Sequence, residues 1–405
     1  MNADLPPPVF LNRRTPPALV TLTLLTGLSS LAMSLMLPSL PAMAAYFDAP
    51  YALMQLSVSL YLALSAVLQI GIGPVSDRFG RRPVVMVGLV LFLIATVGTL
   101  VAKDATVFLA FRMAQAVVSV GMVLSRAVVR DMVEGAKAAS MIGYVTMGMS
   151  LVPMVGPMIG GALQEAFGWQ SNFLMLLALG LVVTALAWAD LGESAVTARR
   201  GFAEQARLYP LLLGSGRFWA YCGAAGLASG CFYAFVGGAP YVGAKVYDMS
   251  PTAIGAAYAM PSIGYALGNY LAGRHSVRLG MNRMILIGTS VTTLGMGALA
   301  ALTALGLSGP AVFFASMVTL GIGNGVALPN ANAGMLSIRP DLAGTASGLG
   351  GAIVIGGGAA LSALAVALLP PGSGEMPLIL LMLGCSLGST LVLMPVMRAG
   401  QGLRG

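Results

Sequence analysis

This 405-residue chain is short of charge: Asp, Glu, Lys and Arg make up only 8% of it, against 58% hydrophobic residues. Soluble domains carry about a quarter charged residues, so a solvated globular fold is excluded. Acidic residues are scarcer than basic ones, 13 against 21. The resulting net charge of +8 would suit nucleic acid if it formed a surface. It is instead divided among short segments between apolar runs, and no nucleic-acid partner is expected. A single histidine, His275, excludes His-pair metal sites and argues against a Ser-His-Asp hydrolase. Cys222, Cys231 and Cys385 all fall in apolar runs, where thiols pack, so no disulfide is expected. No Gly-x-x-x-x-Gly-Lys-Ser/Thr loop occurs, so the chain does not read as an ATPase. With no clustered nucleophile, acid or metal set, an enzyme or channel is the weakest reading. Neither a cofactor nor a metal is expected.

Apolar sequence is what the chain has in excess, with a mean hydropathy of +0.89. A helix needs about 20 apolar residues to cross a bilayer. Such runs occupy roughly 18–41, 52–74, 83–102, 106–127, 140–163, 170–190, 218–242, 252–273, 283–306, 310–334, 345–369 and 376–397. Barrel strands would be about ten residues long and alternating, which is not seen. The expected fold class is an all-α polytopic membrane protein with twelve transmembrane helices embedded in a lipid bilayer.

Charge position orients these runs. With the N-terminus inside, only Lys103 and Lys245 fall in outer loops, and Arg112 falls within a span. The outer loops hold Asp48, Asp104, Glu165, Asp248 and Glu375. An excess of Lys and Arg marks the cytoplasmic side, so both termini are expected there. A cleavable signal peptide is the rival reading: Arg13 and Arg14 precede the first run, and Ala42-Met43-Ala44 resembles a cleavage site. That run is longer than a signal core, and its loss would upset the even span count. Between 191 and 217 the apolar signal falls. The expected organisation is a disordered cytoplasmic tail over 1–16, a six-helix bundle over 17–190, and a cytoplasmic linker over 191–217. A second six-helix bundle over 218–398 and a cytoplasmic tail over 399–405 complete it.

One short stretch is unusually specific. Residues Gly73 to Pro83 read Gly-Pro-Val-Ser-Asp-Arg-Phe-Gly-Arg-Arg-Pro, carrying Asp77, Arg78, Arg81 and Arg82 between two apolar runs. Gly73, Gly80 and the prolines predict a helix break and a tight turn. The second half echoes it: Ser76-Asp77-Arg78-Phe79-Gly80 returns as Ser276-Val277-Arg278-Leu279-Gly280, and Gly88 as Gly288. Such a repeat implies two bundles related by an axis along the membrane normal. Val277 replaces Asp77, so whatever that carboxylate does is done in the first half alone.

The Gly73–Pro83 stretch resembles the loop signature of the major facilitator superfamily of transporters. Leu37-Pro38-Ser39-Leu40-Pro41, Arg112-x-x-Gln115, Gly156-Pro157-x-x-Gly160-Gly161 and Cys231 through Pro240-Tyr241 resemble its twelve-span drug:proton antiporter branch. Within that branch they look most like the bicyclomycin- and chloramphenicol-resistance type of multidrug efflux transporter. The resemblance covers nearly the whole chain. It implies a monomeric secondary transporter of a bacterial inner membrane. It would export a small-molecule substrate of amphipathic character by alternating access, with protons as the coupling ion. An importer or facilitator of a small metabolite on the same fold is the alternative. The resemblance also implies that Gly73, Asp77, Arg78, Gly80, Arg81 and Arg82 form a cytoplasmic latch between the bundles.

The candidate substrate-binding residues are Arg112, Gln115, Ser34, Tyr61, Tyr144, Tyr233 and Asn324. A charge at membrane depth is costly and usually lines a cavity or meets a partner. Arg112 is therefore read as a cavity residue, with snorkelling to the outer interface as its alternative. Gln115 lies one turn along the same face. The tyrosines and Asn324 offer polar contacts to a ligand or to neighbouring helices. Gly156, Pro157, Gly160 and Gly161 allow close helix approach and a kink, with conformational coupling as a second role. Ser34 departs from the family pattern, because relatives carry an acid there. With no carboxylate well inside any span, Asp77, Asp131 and His275 are the remaining candidates to carry a proton. An embedded cation with nothing to offset it predicts a preference for neutral or anionic compounds.

Overall fold

A computed structural model describes residues 9–132, 141, 145, 152, 155–194, 209–338, 343–370 and 372–401. The chain divides into two compact units, Met1–Phe202 and Ala203–Gly405. Ten helices among the described residues are long and apolar enough to cross a membrane. In lipid a backbone without water must satisfy its own hydrogen bonds, which is why runs this apolar become helices.

In the first unit, α1 (Leu19–Ser34) continues through a 3₁₀ turn, Leu37–Ser39, into α2 (Leu40–Tyr46). Pro38 and Pro41 sit in the first turns of those two pieces, where a missing N–H costs nothing. Then come α3 (Tyr51–Phe79), α4 (Arg81–Val101), α5 (Ala105–Ala114), a 3₁₀ turn at Gln115–Val118 and α6 (Ser119–Met132). Asp104 caps α5 by accepting from the Thr106 and Val107 N–H groups at 3.0 and 2.9 Å. Helix α7 occupies residues 155–167 and α8 is Gln170–Asp190. Half of the expected fifth span, Tyr144 included, lies outside the described residues.

The second unit holds α9 (Tyr209–Leu213), α10 (Gly216–Tyr241), α11 (Pro251–Ala257), α12 (Ala259–Leu279), α13 (Met281–Ala304), α14 (Pro310–Ser337), α15 (Ala343–Ala367) and α16 (Met376–Gln401). The expected eighth span is α12, preceded by a break at Tyr258. Its polar stretch from Asn269 through Arg274, His275 and Arg278 keeps it out of the ten most apolar helices. Helices α12 and α14 touch backbone to backbone. A Cβ at Gly268 would sit 2.9 Å from the Gly325 Cα, so both positions need glycine.

Two expectations change. The stretch after Gly73 is not a loop: α3 runs unbroken through Gly73 and Pro74 to Phe79, and α4 begins at Arg81. Only Gly80 turns, at φ 95°, a backbone region that favours glycine. Pro83 lies in the first turn of α4, where its missing N–H is no loss. The N-terminal tail also differs from residue 9 onward. The Leu11 N–H donates to Asp190 Oδ1 at 2.7 Å, and Arg13 stacks 5.6 Å from the Trp188 ring centroid. Asp190 Oδ2 accepts from the Ala18 N–H and the Thr21 hydroxyl at 2.8 and 2.5 Å. A fully buried carboxylate thus holds the start of α1 to the end of α8.

Candidate functional site

Arg112 is fully buried in the first unit, which rules out snorkelling. Its Nε donates to the Ser57 carbonyl of α3 at 3.2 Å and Nη2 to the Ala32 carbonyl of α1 at 2.9 Å. Nη1 donates to Gln115 Oε1 at 2.9 Å. The guanidinium lies over the Tyr61 ring, 4.0 Å from its centroid, close enough for a strong cation–π contact. Gln115 Nε2 in turn donates to Thr96 Oγ1 of α4 at 2.9 Å. One side chain therefore ties together α1, α3 and, through Gln115, α4. No carboxylate pairs with Arg112 among the described residues. Among the described residues the cation is held by carbonyl dipoles and a ring face.

The 3₁₀ turn at Gln115–Val118 falls at this point in the fourth span. A 3₁₀ stretch inside a longer helix marks strain or a hinge. Here it lets Gln115 reach back to Arg112 three residues earlier while also meeting Thr96.

Ser34 is buried at the end of α1 and donates to the Ser30 carbonyl at 3.2 Å. A Cβ at Gly156 would come within 2.6 Å of Ser34 Oγ, and one at Gly160 would collide with the Leu35 carbonyl. Gly156, Pro157, Gly160 and Gly161 are all buried. The two glycines lay α7 directly on the end of α1, a packing contact made possible by missing side chains. Ser34 is therefore a wall of that contact. Tyr233 and Asn324 belong to the second unit. The Tyr233 ring fills the space over Gly358 of α15, and Asn324 is buried within α14. That unit also carries an open groove of about 480 Å³, in which Asn269, Ser276 and Asn330 are the polar groups.

At the Gly80 end, Arg81 Nη1 pairs with Asp77 at 2.6 Å and also meets the Ser76 hydroxyl. Its Nε pairs with Asp131 Oδ2 of α6 at 3.1 Å. Arg82 Nη2 donates to the Trp188 carbonyl at 3.0 Å, and Arg78 stacks 5.4 Å from the Phe79 centroid. Asp131 was expected only as a candidate proton carrier, and Glu193 and Thr96 were not among the expected site residues. Thr96 sits in an apolar run like many structural threonines, and Glu193 in a stretch that reads as a solvated linker. In the second unit, Val277 is 98% exposed where Asp77 is paired in the first. His275 Nδ1 lies 3.0 Å from the Leu271 carbonyl of its own helix.

The sequence profile described as "Major Facilitator Superfamily" matches residues 22–363. The chain is 30% identical over 352 residues to a chloramphenicol resistance protein of Pseudomonas aeruginosa, covering 85% of this chain and 82% of that one. It is 27% identical over 384 residues to multidrug resistance protein D of Escherichia coli, covering 90% and 92%. Its fold is similar to that of a D-xylose–proton symporter, with a TM-score of 0.75 at 15% identity over 93% and 95% of the two chains. A polytopic helical chain with this loop signature and these relatives belongs to the major facilitator superfamily of transporters.

Proposed function

We propose that this protein is a twelve-span secondary transporter. It exports small amphipathic compounds from a bacterial cytoplasm across the inner membrane by alternating access, in exchange for protons. The bundles are residues 17–190 and 218–398, joined by a cytoplasmic linker at 191–217, and both termini are cytoplasmic. The protein works as a monomer. The observation that carries this reading is the Arg112 cluster: a fully buried cation with no carboxylate partner among the described residues, held by Ser57, Ala32, Gln115 and Tyr61. Buried ionisable groups in a transporter mark a substrate or ion pathway. The names of the relatives, resistance proteins for chloramphenicol and for multiple drugs, support export rather than uptake.

The substrates are neutral or anionic. A cation in a low-dielectric site repels a second cation strongly, and a ligand oxygen is the natural partner for Arg112 when Gln115 yields it. On the cytoplasmic side the Asp77–Arg81–Asp131 cluster acts as a latch. Its partial burial gives it more weight than an exposed ion pair, which contributes little.

Expression in an efflux-deficient host, with and without an uncoupler, tests the reading. Susceptibility to chloramphenicol should fall, and dye accumulation should rise when the uncoupler is added. Uptake that rises with expression would establish the importer instead. Preferential export of quaternary ammonium dyes would refute the assigned substrate charge.

A further inference from the structure

A turn ahead of α1 plays no part in the transport reading. Residues 9–15 fold back on themselves. The Thr15 hydroxyl accepts from the Val9 N–H at 3.1 Å and donates to the Asn12 carbonyl at 2.9 Å. The Arg14 N–H donates to Asn12 Oδ1 at 3.1 Å. Leu11 sits at φ 60°, a backbone region costly for leucine, and its N–H is held by Asp190. A Cβ at Gly192 would collide with the Thr15 carbonyl, so the turn lies directly on the chain leaving α8.

What this turn displays is apolar and basic. Val9, Phe10 and Leu11 are consecutive, and each is at least half exposed. Arg13 and Arg14 are exposed as well. No carboxylate pairs with either arginine among the described residues. The two acids at the end of α8 are engaged by other donors. Asp190 is fully buried and takes the Ala18 N–H and the Thr21 hydroxyl besides Leu11. Glu193 caps α4, accepting from the Arg81 and Arg82 N–H groups at 2.8 and 3.2 Å. Both cations are therefore left for an anion outside the fold.

The position of the turn identifies that anion. Leu174, Leu181 and Trp188 recur every seven residues along α8, and all three are more than half exposed. Seven residues make about two helical turns, so they form one stripe. A large apolar stripe left open on a spanning helix faces acyl chains. It ends on a tryptophan, a residue type that collects at the headgroup level. The Arg13 guanidinium stacks on that ring. Arg82 of α4 reaches the same place and donates to the Trp188 carbonyl. The turn thus continues the lipid-facing surface of α8 to where the helix leaves the bilayer.

We propose that residues 9–14 form an interfacial anchor that binds anionic phospholipid in the leaflet at the start of α1. Val9, Phe10 and Leu11 enter the boundary between headgroups and acyl chains, and Arg13 and Arg14 take the headgroup phosphates. The inference rests on the chain's spanning a membrane, and not on its cargo, its coupling ion or its direction of transport. Each basic side chain near an anionic surface strengthens binding about fivefold, and the apolar residues add burial. The turn is already folded by Thr15 and Asp190, so little ordering is needed on docking.

Two measurements on the full chain test this, and neither reads transport. A nitroxide is attached at F10C in a chain with its three native cysteines replaced, in nanodiscs of phosphatidylcholine and phosphatidylglycerol. Collision with oxygen and with a water-soluble nickel chelate gives its depth. The label should lie about 5–10 Å into the headgroup boundary, while one at K103C, in an exposed loop, meets nickel freely. Equal nickel collision at both positions would overturn the anchor. Native mass spectrometry of the detergent-solubilised protein, titrated with each lipid, reads the first molecule bound. R13Q/R14Q should weaken phosphatidylglycerol binding by about 25-fold, fivefold for each charge, and leave phosphatidylcholine binding unchanged. R13K/R14K keeps both charges and should retain most of the affinity. K103Q, which removes an exposed cation elsewhere, should change neither lipid. Millimolar inorganic phosphate should not displace the bound lipid. Native phosphatidylglycerol affinity in R13Q/R14Q, an equal loss in K103Q, or displacement by phosphate, which would make this a site for the free anion, would overturn the proposal.

Discussion

Replacing Arg112 by methionine separates the charge from the volume. The native guanidinium makes three hydrogen bonds, to Ser57, Ala32 and Gln115, and one ring contact, to Tyr61. Hydrogen bonds to charged groups contribute about 1.5–3 kcal/mol each, and a desolvated cation–π contact about 2 kcal/mol. Against this stands the cost of burying an ion, several kcal/mol. The two sides nearly cancel. Methionine removes both together and strands no partner charge, because no described carboxylate pairs with Arg112. The principal residual cost is Gln115, which keeps Thr96 but loses the donor to its oxygen, about 1–3 kcal/mol. R112M should therefore fold and melt close to the native protein while transport is lost. R112A adds a void at a fully buried site and should lose a further 2–5 kcal/mol or so, the range for emptying a buried side chain. Thermal unfolding in detergent, read by size-exclusion elution, gives the stabilities, and vesicle transport gives the function. Native transport by R112M would refute a functional cation. A loss of stability in R112M as large as in R112A would refute the claim that the charge and its burial cost offset one another.

Two further outcomes follow from geometry. G160A forces a Cβ into the Leu35 carbonyl, a backbone atom that cannot rotate away, and should cost about 1–3 kcal/mol as overpacking does. G156A meets the Ser34 hydroxyl, which can turn, so melting temperatures should rank native, G156A, G160A, and the reverse order of the mutants would remove the packing argument. In the second unit, the Tyr247 and Ser308 hydroxyls are hydrogen-bonded at 3.2 Å, and Ser308 donates to Glu375 at 2.7 Å. Burial, followed by the nearby Glu375 carboxylate, pushes the Tyr247 phenol up from 10.0 to about 12, against the opposing Ser308 hydrogen bond. The folded state then holds a proton that the unfolded state releases. Its stability is intact below pH 10 and declines between pH 10 and about 12. A pH series of melts should show that decline, reduced in Y247F; identical profiles would exclude Tyr247 as the group responsible.

Helices were legible in the sequence because hydrophobic length alone dictates them in lipid, and Arg112 because a charge there is conspicuous. Its partners were less so. The Ser57 and Ala32 carbonyls are backbone atoms and leave no trace in residue type. Gly73 and Pro74 were misleading for a physical reason: local propensity reads them as breakers, yet α3 is held by packing along its length and tolerates both. Asp190 fell at the edge of the expected sixth span, and Glu193 fell in the stretch after it where the apolar signal drops and a linker was expected. They are instead a helix-start clamp and a helix cap, roles that depend on contacts with residues far earlier in the chain. Ser34 stood out by comparison with relatives, but its neighbour Gly156 lies more than a hundred positions away, and only the folded chain brings them together.

The 3₁₀ turn after Ala114 sets a length and a phase. Each residue rises about 2.0 Å in that winding against 1.5 Å in an α-helix, and advances about 120° rather than 100°. Over Gln115–Val118 the fourth span is therefore about 2 Å longer than a uniform helix, and its two parts are out of phase by about 80°. Rewinding those four residues would draw α6, which carries Asp131, toward α5 by about 2 Å and swivel it by about a quarter turn. The guanidinium of Arg112 and the carboxylate of Asp131 thus lie on one screw thread, with its single change of pitch between them.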